Sequence, residues 1–94
     1  MDSRFYLIDL YDIYGELLTD KQKAYFEDYY YNNLTLSELS ENYNVSRNAI
    51  HKQLKEAENK LKEYESKLKL YEKKEKILDL IKDEEIKEKI KELL

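Results

Sequence analysis

The chain has 94 residues, enough for one modest core with an appended helix. It holds no proline, no cysteine, one glycine and one histidine, and 40% of its residues are charged; this excludes disulfides, thiolate or histidine-cluster metal sites and glycine-rich phosphate loops, and the scarcity of helix breakers points to an all-α fold. The net charge of −4 argues against nucleic-acid binding in general, but residues 1–45 carry 3 basic and 9 acidic groups, residues 46–76 carry 10 and 6, and residues 77–94 carry 4 and 6, so one net-positive stretch sits in an acidic body.

A first helix is predicted over residues 3–17. Leu7, Tyr11, Tyr14 and Leu18 recur on one helical face, and Leu10 and Leu17 widen the stripe. The most apolar run, Phe5 to Leu10, is short and carries Asp9, so neither a signal peptide nor a membrane span is expected, and the protein reads as cytoplasmic. Thr19-Asp20-Lys21-Gln22 has the form of a capping box and opens a second helix, which the Asn32-Asn33 pair ends. Tyr25, Phe26, Tyr29 and Tyr30 supply its apolar side. Helical spacing assigns the tyrosines to the core rather than to nucleobase stacking.

Thr35-Leu36-Ser37-Glu38 is a second capping box and starts a short third helix, with Leu36, Leu39 and Tyr43 on its apolar face. Asn44 falls where the chain must turn sharply, and asparagine tolerates the left-handed conformation that such a turn needs. Ser46 then caps a fourth helix. Residues 36–56 therefore read as a helix-turn-helix, held by Leu39, Val45, Ile50 and Leu54.

The fourth helix has no early stop. Ile50, Leu54, Ala57, Leu61, Tyr64, Leu68 and Tyr71 are spaced 4, 3, 4, 3, 4, 3, a heptad seam that fails near Glu75. A bend is expected near Lys82-Asp83, with Asp83 capping a last helix that carries Ile86, Ile90, Leu93 and Leu94. The seam either folds back over the first helices or joins two chains. Because Ile50 and Leu54 are used inside the helix-turn-helix, Leu61, Tyr64, Leu68 and Tyr71 remain for a partner, and a homodimer presenting paired helices to half-sites is the favoured expectation.

Opposite the Ile50 direction, at about 140–160° with roughly 100° per residue, lie Asn48, Lys52 and Lys55, with Arg47 and His51 on one shoulder. Arginine can bond guanine and asparagine adenine in bidentate fashion, while lysines suit phosphates as mobile point charges. Ser46, Arg47, Asn48, His51, Lys52 and Lys55 are thus the candidate DNA-binding residues. The bland alternative is a solvated face of a highly charged helix. No enzyme is expected: with one histidine and no cysteine, no nucleophile, base and orienter can be assembled, and Glu84-Glu85 belongs to a solvated charge run. No cofactor is expected either.

Leu17 to Lys73 resembles the YlxM family of small bacterial proteins encoded beside signal recognition particle genes. Leu17, Leu18, Thr19, Lys21 and Gln22, the Tyr29-Tyr30 pair, the Val45-Ser46-Arg47 helix start, and Tyr11, Asp12 and Tyr14 carry the resemblance, while Ser40 and Asn44 stand where Ala and Gly are common. It implies a fold similar to region 4 of bacterial sigma factors. It also implies a DNA-binding regulator acting on the signal recognition particle operon or pathway, or else an adaptor for signal recognition particle protein or RNA. The expectation is an all-α helix-turn-helix bundle over residues 1–56 with a long C-terminal helical extension over residues 57–94 that serves dimerisation.

Overall fold

Helix starts and stops follow the side chains that can satisfy free backbone groups. A computed structural model describes residues 3–94, and among them are six helices and no strand: α1 (Arg4–Tyr14), α2 (Asp20–Tyr30), α3 (Leu36–Tyr43), α4 (Arg47–Leu68), α5 (Leu70–Asp79) and α6 (Glu84–Leu93). Ser3 caps α1 by accepting the Tyr6 N–H. Both capping boxes close: Thr19 Oγ1 accepts from the Gln22 N–H at 3.1 Å while Gln22 Oε1 accepts from the Thr19 N–H at 3.3 Å, and Thr35 and Glu38 make the same exchange. Asn33 and Asn44 take the left-handed conformation, with φ 57° and 55°. Asp83 caps α6 through the Glu85 and Ile86 N–H groups.

The first helix ends earlier than the sequence pattern suggests. After Tyr14 the chain winds into a 3₁₀ turn over Gly15–Leu17. Three residues per turn instead of 3.6 rotate the stripe out of phase, so Leu17 stands exposed while Leu18 returns to the core. Gly15 is buried here, and a Cβ at this position would lie 3.0 Å from the Tyr11 ring.

Two apolar clusters hold the helices together. Leu39, Ile50 and Leu54 pack with Tyr25 inside the helix-turn-helix. Val45 is not part of this lock, being 37% exposed at the turn. The larger cluster joins Leu7, Leu10, Tyr14 and Leu18 to Phe26 and Tyr30, and α4 supplies Ala57 and Leu61.

The heptad seam therefore folds back on its own chain. Leu61 is 0% exposed. Tyr64 packs against Tyr14, and Tyr71 meets Tyr6 edge-on at 5.3 Å. Leu68 alone of the four expected partner residues is exposed, at 48%. Nor is the seam one straight helix, because α4 stops at Leu68 and Lys69 turns left-handed (φ 55°). Such a conformation costs a non-glycine residue about 1–2 kcal/mol, and long-range bonds offset it. Glu65 accepts the Tyr71 and Glu72 N–H groups at 3.0 and 3.2 Å, and the Tyr14 hydroxyl accepts the Leu70 N–H at 3.1 Å. These bonds replace a local cap for α5 and turn it back onto α1.

Four phenols donate to carboxylates across helices: Tyr11 to Glu27 at 2.5 Å, Tyr14 to Glu65 at 2.7 Å, Tyr30 to Glu58 at 2.7 Å and Tyr43 to Asp28 at 2.6 Å. Burial first, and then the bonded carboxylate, push the phenols of Tyr11, Tyr14 and Tyr30 up. The bond to Asp28 is the larger cause for Tyr43, which is raised to about 12.

Two predictions follow from this packing. In urea titrations Leu61→Ala should lower stability by about 2–5 kcal/mol, whereas Leu68→Ala should change it by less than about 0.5 kcal/mol; equal losses would contradict the inward placement of Leu61. The tyrosines predict alkaline sensitivity. Unfolded phenols ionise near pH 10, and the folded ones keep their protons to higher pH, so above pH 10 the native state binds more protons than the unfolded state. The contribution of these four groups is thus fully present below pH 10 and declines as pH rises towards 12 and beyond. Chemical denaturation at stepped pH should show this decline, and it should be shallower in Tyr11→Phe with Tyr43→Phe.

Candidate nucleic-acid interface

The turn between α3 and α4 is built by backbone bonding more than by packing. Asn44, in the left-handed conformation, sends its N–H to the Ser40 carbonyl, and the Val45 N–H shares that acceptor at 3.2 Å. The Ser40 hydroxyl donates to the Val45 carbonyl. Ser46 Oγ then accepts the Ala49 N–H at 3.0 Å and starts α4. Behind the turn Tyr43 lies across Tyr25 at 4.8 Å, and its hydroxyl ties α3 to Asp28 of α2. With Ile50 and Leu54 buried beneath it, the first turn of α4 is fixed in direction and its outer residues stand clear.

Ser46, Arg47, Asn48, His51, Lys52 and Lys55 are all exposed. The structure divides them into groups. Ser46, Arg47, Asn48 and His51 surround one depression of about 530 Å³, with Leu36 of α3 as its far wall. His51 and Lys55 also line a neighbouring cleft of about 470 Å³ that reaches Tyr29 and Lys62. Lys52 lines neither hollow and projects from the outer face. Lys55 lies 3.5 Å from Glu58, itself bonded to Tyr30, so this lysine is partly engaged, whereas Arg47 and Lys52 form no ion pair among the described residues.

Two contributors escaped the sequence reading. Lys62 shares a helical face with Arg47, His51 and Lys55, at spacings of 4, 4 and 7, a signal that was present in the sequence. Arg4 borders a further hollow together with Arg47 and Ser37. Its guanidinium donates to the Tyr29 and Tyr30 carbonyls at 3.0 and 2.6 Å and to Asn33 Oδ1 at 2.8 Å, closing the end of α2. No local pattern could reveal a cap supplied from 25 or more residues away.

Charge separates this surface from the rest of the molecule. Between Glu41 and Glu56 the chain has no acidic residue. In a chain with 21 acidic groups that interval is the whole turn and the first part of α4. Asp28 and Glu58, which α3 and α4 meet through Tyr43 and Lys55, each accept a phenol hydrogen bond. The surface can therefore present cations, an amide and an imidazole to a polyanion without local repulsion.

A capped helix whose exposed start is free of acidic residues, held at a fixed angle across a tight turn, defines a helix-turn-helix protein. The whole chain, residues 1–94, matches the UPF0122 family, described as "Putative helix-turn-helix protein, YlxM / p13 like", and the chain belongs to that family. It is similar to the UPF0122 protein of Malacoplasma penetrans, with 55% identity over 51 residues that cover 54% of this chain and 48% of the relative. A UPF0122 protein of Thermoanaerobacter sp. is 48% identical over 60 residues, covering 63% and 51%. That of Fusobacterium nucleatum is 46% identical over 55 residues, covering 58% and 53%. The matched segment thus spans about half the length of these curated relatives. None of the described helices is long and apolar enough to cross a membrane.

Ser46→Ala should cost about 0.5–2 kcal/mol, since it leaves the Ala49 N–H without its cap. Thermal unfolding should show the loss, and Ser46→Asp should recover most of it.

Proposed function

We propose that this chain is a non-enzymatic regulatory protein that binds duplex DNA by seating the first turns of α4 in the major groove. The observation that carries the reading is the acid-free, serine-capped start of α4, exposed on an otherwise acidic protein. Arg47, Asn48 and His51 reach base edges, and Lys52 and Lys55 hold phosphates on either side. Ser46 fixes the helix start and offers its own edge to the backbone of the duplex. The family resemblance supplies the proposed target, the signal recognition particle operon or pathway, and with it a cytoplasmic setting. Two copies acting together would meet half-sites about one helical turn of DNA apart. No cofactor enters this reading.

A second reading has its own support. Asp9 and Asp12 of α1 and Glu16 of the following 3₁₀ turn stand exposed, as do Phe5, Leu17 and Tyr31 in the same net-negative first half. Such a face suits docking to a basic protein of the signal recognition particle pathway.

A salt titration of duplex binding tests the first reading. Affinity should fall steeply with salt, and Lys52→Ala should reduce the log–log slope by about one. Arg47→Ala should cost about 1–3 kcal/mol on the preferred sequence. Lys52→Glu with Lys55→Glu should abolish binding. Failure to bind any duplex at low salt would overturn the proposal. Under the second reading, protein docking should survive those reversals and be lost with Asp9→Lys and Asp12→Lys.

A further inference from the structure

Helix α4 stops where its sequence gives no reason to stop. The seam of Leu61, Tyr64, Leu68 and Tyr71 runs across the break, and Lys69 at its centre is left-handed without being glycine or asparagine. The bonding there is that of a continuous helix with three links exchanged. The Lys69 N–H still reaches the Glu65 carbonyl at 2.9 Å, and the Lys73 N–H the Lys69 carbonyl at 3.0 Å. Between them lie the N–H groups of Leu70, Tyr71 and Glu72, which an unbroken helix would send to the carbonyls of Ser66, Lys67 and Leu68. They go instead to the Tyr14 hydroxyl and the Glu65 carboxylate. A straight α4–α5 helix would therefore make as many hydrogen bonds as the bent one, and would relieve the left-handed residue. What it gives up is the docking of α5 on α1. That docking is light: α5 buries only Leu78, Tyr71 meets Tyr6 edge-on at 5.3 Å, and Leu70 and Ile77 share with Ile13 a hollow of about 260 Å³.

We propose that Lys69 is a hinge and that two copies of this chain exchange the arms that follow it. With α4 and α5 straightened, each α5 leaves its own α1 and lies on the α1 of a second copy, where it remakes the contacts it had. The occupant is specified by the bent chain itself: the surface uncovered on α1 is one that α5 already fits. Only the hinge changes conformation, and a mutual exchange of identical elements closes as a two-fold pair. The apolar surface at the break has a place in that pair. Leu68 and Leu70, on either side of Lys69, are 48% and 45% exposed in the bent chain. Where two straight helices cross at their hinges, these leucines cover one another, and Leu68 is the seam residue that the bent chain leaves without cover. None of these residues lies in the helix-turn-helix, so the exchange stands apart from what the start of α4 binds.

Sedimentation equilibrium and light scattering on the full chain, from micromolar to about millimolar concentration, test the exchange. The mass should rise from the 11.5 kDa of one chain towards twice that value. Lys69→Gly accepts the bend at no steric cost and weakens a straight helix, so with two hinges per dimer it should raise the dissociation constant by on the order of a hundredfold. Lys69→Ile, whose branched side chain tolerates the left-handed region least, should lower it by about tenfold or more. Tyr14→Phe removes the Leu70 acceptor from the bent form alone and should also favour the dimer. Far-UV circular dichroism checks that each variant is folded. A dimer through any other surface would be indifferent to the residue at position 69. Equal self-association of the Lys69→Gly and Lys69→Ile variants, or a single-chain mass for wild type and Lys69→Ile alike across that range, would overturn the hinge.

Discussion

Glu58 and Glu65 lie seven residues apart on the inward side of α4, and each accepts a hydrogen bond from a phenol on another helix, Tyr30 of α2 and Tyr14 of α1. A carboxylate withdrawn from water without partners carries a penalty of several kcal/mol. Each is accordingly satisfied more than once, Glu58 also by Lys55 and Glu65 by two backbone N–H groups of α5. The pairing sets the register of α4 against the helices it packs on. Apolar contacts alone would tolerate some sliding, since Ala57, Leu61 and their neighbours form a repeating surface. A slip of one turn would strand both carboxylates at once.

The tyrosine content follows from the same arrangement. A phenol fills core volume with its ring and reaches a carboxylate with its hydroxyl. Tyr14 and Tyr30 do both, Tyr11 does so from the edge of the core, and Tyr43 makes the same bond from the surface; the acids engaged include Glu27 and Asp28 on α2. A chain with 40% charge can thereby draw some acidic groups into helix–helix contacts and keep them from facing the candidate interface. Helix α4 serves two purposes along its length. Its first two turns present Arg47, Asn48 and His51, and the rest is the wall against which α1, α2 and α5 assemble. The angle of the exposed end is consequently set by the buried end.

Much of the helix-turn-helix was legible from local chemistry. Capping boxes at Thr19 and Thr35, the serine cap at Ser46, the left-handed Asn33 and Asn44 and the Asp83 cap all act between residues two to four positions apart, within reach of a sequence pattern. The heptad spacing also identified the residues of α4 that must be covered. It could not say by what. An a/d stripe on a partner chain and one on the same chain's first helices look alike in sequence, and only the tertiary contacts of Leu61, Tyr64 and Tyr71 distinguish them. Leu17 was misplaced because it lies in a 3₁₀ turn, where three residues per turn rotate its side chain out of the α-helical stripe.

The break at Lys69 shows the limit most clearly. Lys69 has no turn-forming side chain, and the helical pattern runs through it unbroken. Its left-handed backbone is held by Glu65 and by Tyr14, which lies more than fifty residues away in the chain. The sequence by itself determined where helices begin, which faces are apolar, and where an acid-free helix start is exposed, because those properties depend on neighbours within a turn or two. Only the tertiary structure decided that the long seam closes on its own chain, that Arg4 ends α2, and that the apolar surface left over lies on α5 and α6. Each of those outcomes depends on which distant groups meet, and no short-range pattern encodes that.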